Sequence, residues 1–403
     1  MSLHDLWNDD IAYVFSIHRT FMQKLGIWPL QKKTVFTIMQ WSLMTILQLT
    51  IFSFLFMELS GNHRDASTSI ETILYFTCTM ILILKNLCIT ANQEKLARNI
   101  DSAISDWLSA KNDEESYKIM KEYAFKSRMF TLVILYSGFI CIAIYIVAVI
   151  VMNAKQIFLQ NANISGNNNT IKWMFLIPSG DLNKKITGSQ YAILILFQVF
   201  EVVTLCLMQC ISDSFYVNVI LHLTGQLKIL KAKFKTFASK PNTVINNRKH
   251  LSILIDRHCK LAELNQNIED TFHLIILFQL VIITLLLALL GLRIIFCLQN
   301  NDYIELAKSV LVLNFMFMES LVYCYGGDFI QKESEDIFRA MFMISWFTLP
   351  AALMKDLHFA MMRSSYPFRL TGGKFFYVNR ETIIYVLKTA ASYVSVLRVA
   401  LRN

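Results

Sequence analysis

Residues 271–298 read TFHLIILFQLVIITLLLALLGLRIIFCL, and Arg293 is the only Lys, Arg, Asp or Glu among them. Crossing the roughly 30 Å hydrocarbon core of a bilayer takes about 20 mostly apolar residues in helix, which this run exceeds. Outward from it, six more blocks meet that length: 35–57, 70–91, 129–152, 190–213, 305–325 and 378–401. The chain of 403 residues is 55% hydrophobic and 17% charged, whereas a soluble globular chain carries about 25% charged residues. The fold class is therefore an all-α membrane protein with seven transmembrane helices. A further apolar stretch, 337–362, is interrupted by Arg339, Trp346, Pro350, Lys355 and Asp356, with Arg363 just beyond. It reads as a helix at or below the membrane interface. Asp9 and Asp10 stand where a signal peptide needs an apolar core, so the first span is expected to act as an uncleaved insertion signal.

Lys and Arg between the spans set the orientation. The N-terminal tail, the loops 92–128 and 214–270, and the segment 326–377 together hold 26 of them, and the alternate side holds 6. The N-terminus is expected in the cytoplasm and the C-terminus outside. The two Asn-X-Ser/Thr acceptors, Asn163 and Asn168, fall in the loop 153–189, which this topology places outside, where glycosylation occurs. The net charge of +9 then needs no nucleic acid, because basic loops facing an anionic inner leaflet account for it. Seven cysteines lie within spans and Cys259 lies in a cytoplasmic loop, so no extracellular disulfide is expected and the thiols read as inert.

Seven spans raise the question of a G-protein-coupled receptor. That class has an outward N-terminus, an Asp-Arg-Tyr triplet at the end of its third span, and kinking prolines in its later spans. Here the nearest triplet, Asp256-Arg257-His258, sits in the loop after span 4, and all five prolines lie outside the spans. The sequence has no Gly-rich phosphate loop, no His-Glu-x-x-His, no Gly-x-Ser-x-Gly and no paired Cys-x-x-Cys, so neither an enzyme, a cofactor nor a metal site is expected. His250 and His258 read as part of a solvated helix face.

Phe215, Val219, Leu223, Leu227, Leu230 and Phe234 recur at three- and four-residue spacing, and Leu251, Leu254, Leu261 and Leu264 follow a break at Ser239-Lys240-Pro241-Asn242. Spans 4 and 5 are thus expected to continue as helices below the membrane, joined by a turn. Residues 94–126 behave similarly. These helices suit an assembly platform or, alternatively, lie on the lipid surface. In span 7, Glu381, Tyr385, Lys388, Ser392, Ser395, Val399 and Arg402 fall on one stripe. Facing lipid, a central charge costs about 2.5–3.5 kcal/mol. Lining a pore shared by several subunits and packing on a neighbouring helix of the same chain both relieve that cost.

The residues around this helix resemble the C-terminal signature of insect odorant receptors: Tyr325-Gly-Gly-Asp328, Ser334, Trp346, Arg363-Ser-Ser-Tyr-Pro367, Leu370-Thr-Gly-Gly-Lys-Phe375 and Leu387-Lys-x-x-x-Ser-Tyr393-x-x-x-Leu397. Leu25-Gly-Ile-Trp-Pro29 is similar to that family's opening motif. The resemblance implies a ligand-gated, non-selective cation channel subunit in a sensory neuron's plasma membrane. Its expected partners are a small volatile organic ligand, membrane lipid and the odorant co-receptor, with which it forms a heterotetramer. It also implies a division into N-terminal helices (1–34), a ligand-binding bundle (35–325), a cytoplasmic assembly and anchor segment (326–377) and a pore-lining helix (378–403). The gate falls at Val396, with Ser392, Ser395 and Val399 beside it, while Lys388 and Arg398 are expected to point elsewhere. The ligand site implied among spans 2–6 takes in Tyr75 and Phe76, which match an aromatic pair of the family. Depth and face add Ser137, Gly138, Ile142, Phe197, Phe200, Phe315, Met316 and Phe317. Glu201 is expected to pair with Lys388 or meet the ligand, and Lys85 and Arg293 to snorkel from their span ends. A homomeric gustatory-type channel and a metabotropic receptor are the competing readings.

Overall fold

The computed structural model describes residues 9–60, 66–162, 173–177, 187–239, 244–344, 346 and 349–400. The glycosylation candidates Asn163 and Asn168 and the stripe residue Arg402 lie outside these described residues. Helix α1 (Asp9–Lys24) precedes the first long apolar helix, α2 (Val35–Leu59). Then come α3 (Ala66–Ala91), α4 (Gln93–Ala110), α5 (Glu114–Ala162), α6 (Gly188–Ser239), α7 (Val244–Gln299), α8 (Tyr303–Phe342) and α9 (Ala351–Ser364). A two-stranded hairpin, β1 (Thr371–Gly372) and β2 (Phe376–Tyr377), leads into α10 (Arg380–Ala400).

Seven of these helices are long and apolar enough to cross a membrane, and they coincide with the seven blocks of sequence. The N-terminal ends of α3 and α8 and the C-terminal end of α7 meet at one end of the bundle, the loop end, where Arg293 joins Glu71 and Glu305. At 1.5 Å per residue the 56 residues of α7 extend about 84 Å, well over twice the apolar thickness of a bilayer. The amphipathic periods of 214–270 are thus continuations of the spans as single helices. The same is true of α8, which runs without a break from the sixth span to Phe342. The stretch 337–362 is therefore not one interfacial helix. Its first residues close α8, a turn follows, and Pro350 caps the separate helix α9, as suits a residue that cannot continue a preceding helix.

The main packed core extends to the helical end, opposite the loop end. Trp28 is buried edge-on against Phe15 (6.5 Å between centroids) and Phe215 (6.3 Å). The Leu25–Pro29 motif can seat that ring because Gly26 takes φ +72°, and a Cβ there would stand 2.9 Å from both Thr37 O and Trp41 N. His18 is buried alongside, its Nε2 3.2 Å from Ser214 Oγ. Burial holds its pKa down at about 4. His258 is not on a solvated face: it is buried against Phe368 at 5.3 Å, and burial lowers its pKa to about 4 as well. The hydrophobic stripe of 251–264 turns this histidine inward because Leu254 and Leu261, at helical spacing from it, fall on the buried side. Ion pairs tie the extensions together. Lys231 meets Glu333 at 2.5 Å and Asp336 at 3.1 Å, and Arg257 meets Asp106 at 2.8 Å. Burial opposes the charge on Asp106, but His222 and Arg257 outweigh it and hold that carboxyl below its usual range.

Candidate functional site

Nearer the loop end, α3, α5, α6, α7 and α8 enclose a cavity of about 170 Å³. Five of the ten residues expected in a ligand site line it: Tyr75, Gly138, Ile142, Phe315 and Met316. Gly138 is there for space, since a Cβ would stand 2.5 Å from Cys210 Sγ and 3.1 Å from Cys206 Sγ. The other five sit elsewhere. Phe76 stacks on Phe52 at 4.7 Å, between α3 and α2. Ser137 turns its hydroxyl back to donate to Ile134 O at 3.0 Å. Phe317 packs against the central core, and Phe197 and Phe200 lie on the outer surface of α6, more than half exposed. Along a helix that is apolar all round, sequence cannot say which aromatic turns inward.

Sequence reasoning missed the cavity's polar ends. At the loop end Arg293 bridges Glu71 (2.5 Å) and Glu305 (2.6 Å), and Lys308 meets Glu305 at 2.5 Å beneath the ring face of Tyr145. Arg293 and Lys308 are both at least nine-tenths buried, so Arg293 does not snorkel. At the other end Glu319 accepts from Gln209 Nε2 (2.7 Å) and Gln279 Nε2 (2.8 Å). Just beyond, Lys85 is also fully buried rather than snorkelling, 2.6 Å from Asp213, to which the Tyr323 hydroxyl donates at 2.5 Å. A buried charge persists where a partner compensates its lost hydration. The signal was common depth: Glu71, Arg293, Glu305 and Lys308 all lie near the same ends of spans 2, 5 and 6. Glu201 is buried on α6 while Lys388 is exposed on α10, and no ion pair joins them.

The segment 173–177 is tied to α5 and α6. Leu176 N and Ile177 N donate to Gln198 Oε1 at 3.0 and 3.3 Å, Met174 N donates to Asn153 Oδ1 at 2.8 Å, and Tyr145 donates to Leu176 O at 3.3 Å.

Helix α10 packs through a narrow seam of Ile383, Val386 and Ala390. At 100° per residue, Glu381, Tyr385, Lys388, Ser392, Ser395 and Val399 fall opposite this seam, and all are exposed. The stripe is therefore not packed on a helix of its own chain. Val396 shares that exposed side at 63% exposure. Arg398 turns away from the stripe, and Lys388 stands on it, exposed, one turn from Ser392. The signature residues hold the base of this helix. A Cβ on Gly327 would stand 2.1 Å from Val378 O, so only glycine admits the chain entering α10. Arg380 pairs with Asp328 at 2.7 Å, Phe368 N donates to Ser334 Oγ at 2.9 Å, and Thr371 is gripped through its backbone N (2.9 Å) and its hydroxyl by Glu269 of α7.

Seven membrane-length helices, five of them around a small, largely apolar cavity, with a polar helix face left uncovered, define a multi-pass membrane protein. Residues 65–391 match the family described as 7tm Odorant receptor. The chain belongs to the insect odorant receptor family, whose members are not enzymes. It is 20% identical to Odorant receptor 13a of Drosophila melanogaster, over 96% of each chain. It is 24% identical to Odorant receptor 10a of the same fly, over 46% of this chain and 47% of that one. The fold matches the insect olfactory receptor OR5 from Machilis hrabei in complex with eugenol. That match has a TM-score of 0.79 at 13% identity and covers 97% of this chain and 100% of that one. The same receptor without a named ligand gives a TM-score of 0.77 at 14% identity, over 96% and 99%.

Proposed function

We propose that this odorant receptor is the ligand-tuned subunit of a non-selective cation channel. In this reading it conducts as a heterotetramer with the odorant co-receptor, its N-terminus in the cytoplasm and α10 lining the pore. The observation that carries it is the α10 face opposite the seam. Serines and charges at lipid-facing positions are costly, and copies of the same helix around an axis would share them across a water-filled path. Val396 is the proposed gate, with Ser392, Ser395 and Val399 beside it. The loop end then faces outside, where Asn163 and Asn168 are proposed glycosylation sites, and the volatile ligand enters the cavity among Tyr75, Gly138, Ile142, Phe315 and Met316.

Helix α7 supplies the link between the two. Leu290 and Arg293 line the cavity, while between them Gly291 lies so close to α10 that a Cβ would stand 3.1 Å from Val394 Cγ2. A ligand that favours one placement of α7 biases α10 by its difference in affinity for the two states. Co-expression with the co-receptor, followed by odorant application to excised patches without GTP, tests the reading. Current that needs both subunits and no GTP supports it. Current from this chain alone would favour a homomeric channel, and a requirement for GTP would favour a metabotropic receptor.

A further inference from the structure

We propose that the cavity selects, among small apolar molecules, those with a neutral hydrogen-bond acceptor at one end, such as a ketone or ester carbonyl. In this proposal the Lys308–Arg293 pair reads that acceptor. The proposal rests on the ligand-cavity reading above and adds the chemistry of the ligand. Three observations at the loop end of the cavity carry it.

The first is a surplus of donors. A lysine ammonium has three N–H groups and a guanidinium five. Lys308 meets one carboxylate, Glu305, and lies 5.1 Å from the Tyr145 ring centroid. Arg293 uses Nη2 for both Glu71 and Glu305, and its Nε is buried without a hydrogen-bond partner among the described residues. A buried donor left unmet is costly, and an acceptor arriving in the cavity would relieve that cost. The second is charge balance. Glu71 and Glu305 offset Arg293 and Lys308, so a ligand bearing a full charge would unbalance a site that buries both cations against partly buried carboxylates. A dipole would not. The third is the wall. Between the two polar ends Leu74, Leu82, Ile142, Val202, Leu205 and Phe315 offer a tail apolar contact, and at the far end Glu319 already accepts from Gln209 and Gln279, so the open donors lie at the loop end.

The test measures the affinity of 2-alkanones and of alkanes of matched chain length, read as thermal stabilisation of the full-length receptor in lipid nanodiscs. Wild type is compared with Lys308→Met and with the charge-conserving pair Glu305→Gln/Lys308→Met. The expected result is that alkanone affinity falls roughly tenfold or more in both variants, the loss of one charge-assisted hydrogen bond, while alkane affinity stays within about twofold. If Lys308→Met does not fold, the paired variant decides. Alkanone and alkane affinities that shift by the same factor, or do not shift, would overturn the proposal and leave the cavity reading intact. No stabilisation of wild type by any probe would overturn both.

Discussion

Lys85 and Asp213 face each other at 2.6 Å with side chains 1% and 2% exposed, and Tyr323 donates to the same carboxylate oxygen. Removing one member of such a pair strands the other charge away from water, a loss of about 3–5 kcal/mol. Lys85→Met should therefore lower the receptor's thermal midpoint sharply, and Asp213→Asn added to it should recover most of the loss. If the double variant is no more stable than the single one, the pair is not the compensating unit. From sequence alone Lys85 looked like a residue reaching for the interface, because nothing in the spacing of 85 and 213 says that α3 and α6 bring them together. Tyr75 was legible from the aromatic pair matched to the family, although its neighbour Phe76 turns toward Phe52, and Gly138 was legible from its depth and face. Phe197 and Phe200 were not, because both faces of α6 are apolar and only packing distinguishes them.

At the scale of elements, the spans were plain in composition, and the amphipathic periods announced their extensions. What composition could not give is where a neighbour stops a helix or turns its face. Helix α8 passes straight through the membrane end because 326–336 holds no proline and the Gly326-Gly327 pair is packed within it, whereas the sequence suggested a separate helix from 337. The stripe of α10 was legible as a stripe, but its direction followed only from the burial of Ile383, Val386 and Ala390 opposite it. Lys388 stands on that stripe, and in the proposed pore a positive charge there would repel permeating cations. Lys388→Glu should raise single-channel cation conductance, roughly twofold or more for a reversal of charge beside a pore. Unchanged conductance at normal surface expression would place Lys388 off the ion path.

Across the whole molecule, two histidines far apart in sequence lock the N-terminal helix and the α7 extension into the core at the helical end. His18 and His258 ordinarily titrate near 6.5, and burial brings both to about 4. Between those values the unfolded chain binds a proton at each site that the folded chain refuses. Stability is therefore fully present above about pH 6.5 and falls as pH drops toward 4, by roughly 1.4 kcal/mol per pH unit for each histidine. Thermal midpoints in nanodiscs should decline across that window, and His18→Gln should flatten part of the decline. A profile that is flat between pH 7 and pH 4 would contradict this. Neither histidine was legible as a core residue, since helical spacing alone does not reveal what covers a face.

The central claim is that the exposed face of α10 borders the conduction path. Single cysteines placed at Ser392, Ser395, Ile383 and Ala390, each co-expressed with the co-receptor and treated with a charged thiol reagent during odorant application, test it most directly. The account predicts irreversible loss of current at Ser392→Cys and Ser395→Cys, and none beyond the unsubstituted receptor at Ile383→Cys and Ala390→Cys. Block confined to the seam positions, or block at none of the four in receptors that reach the surface and respond to odorant, would contradict it.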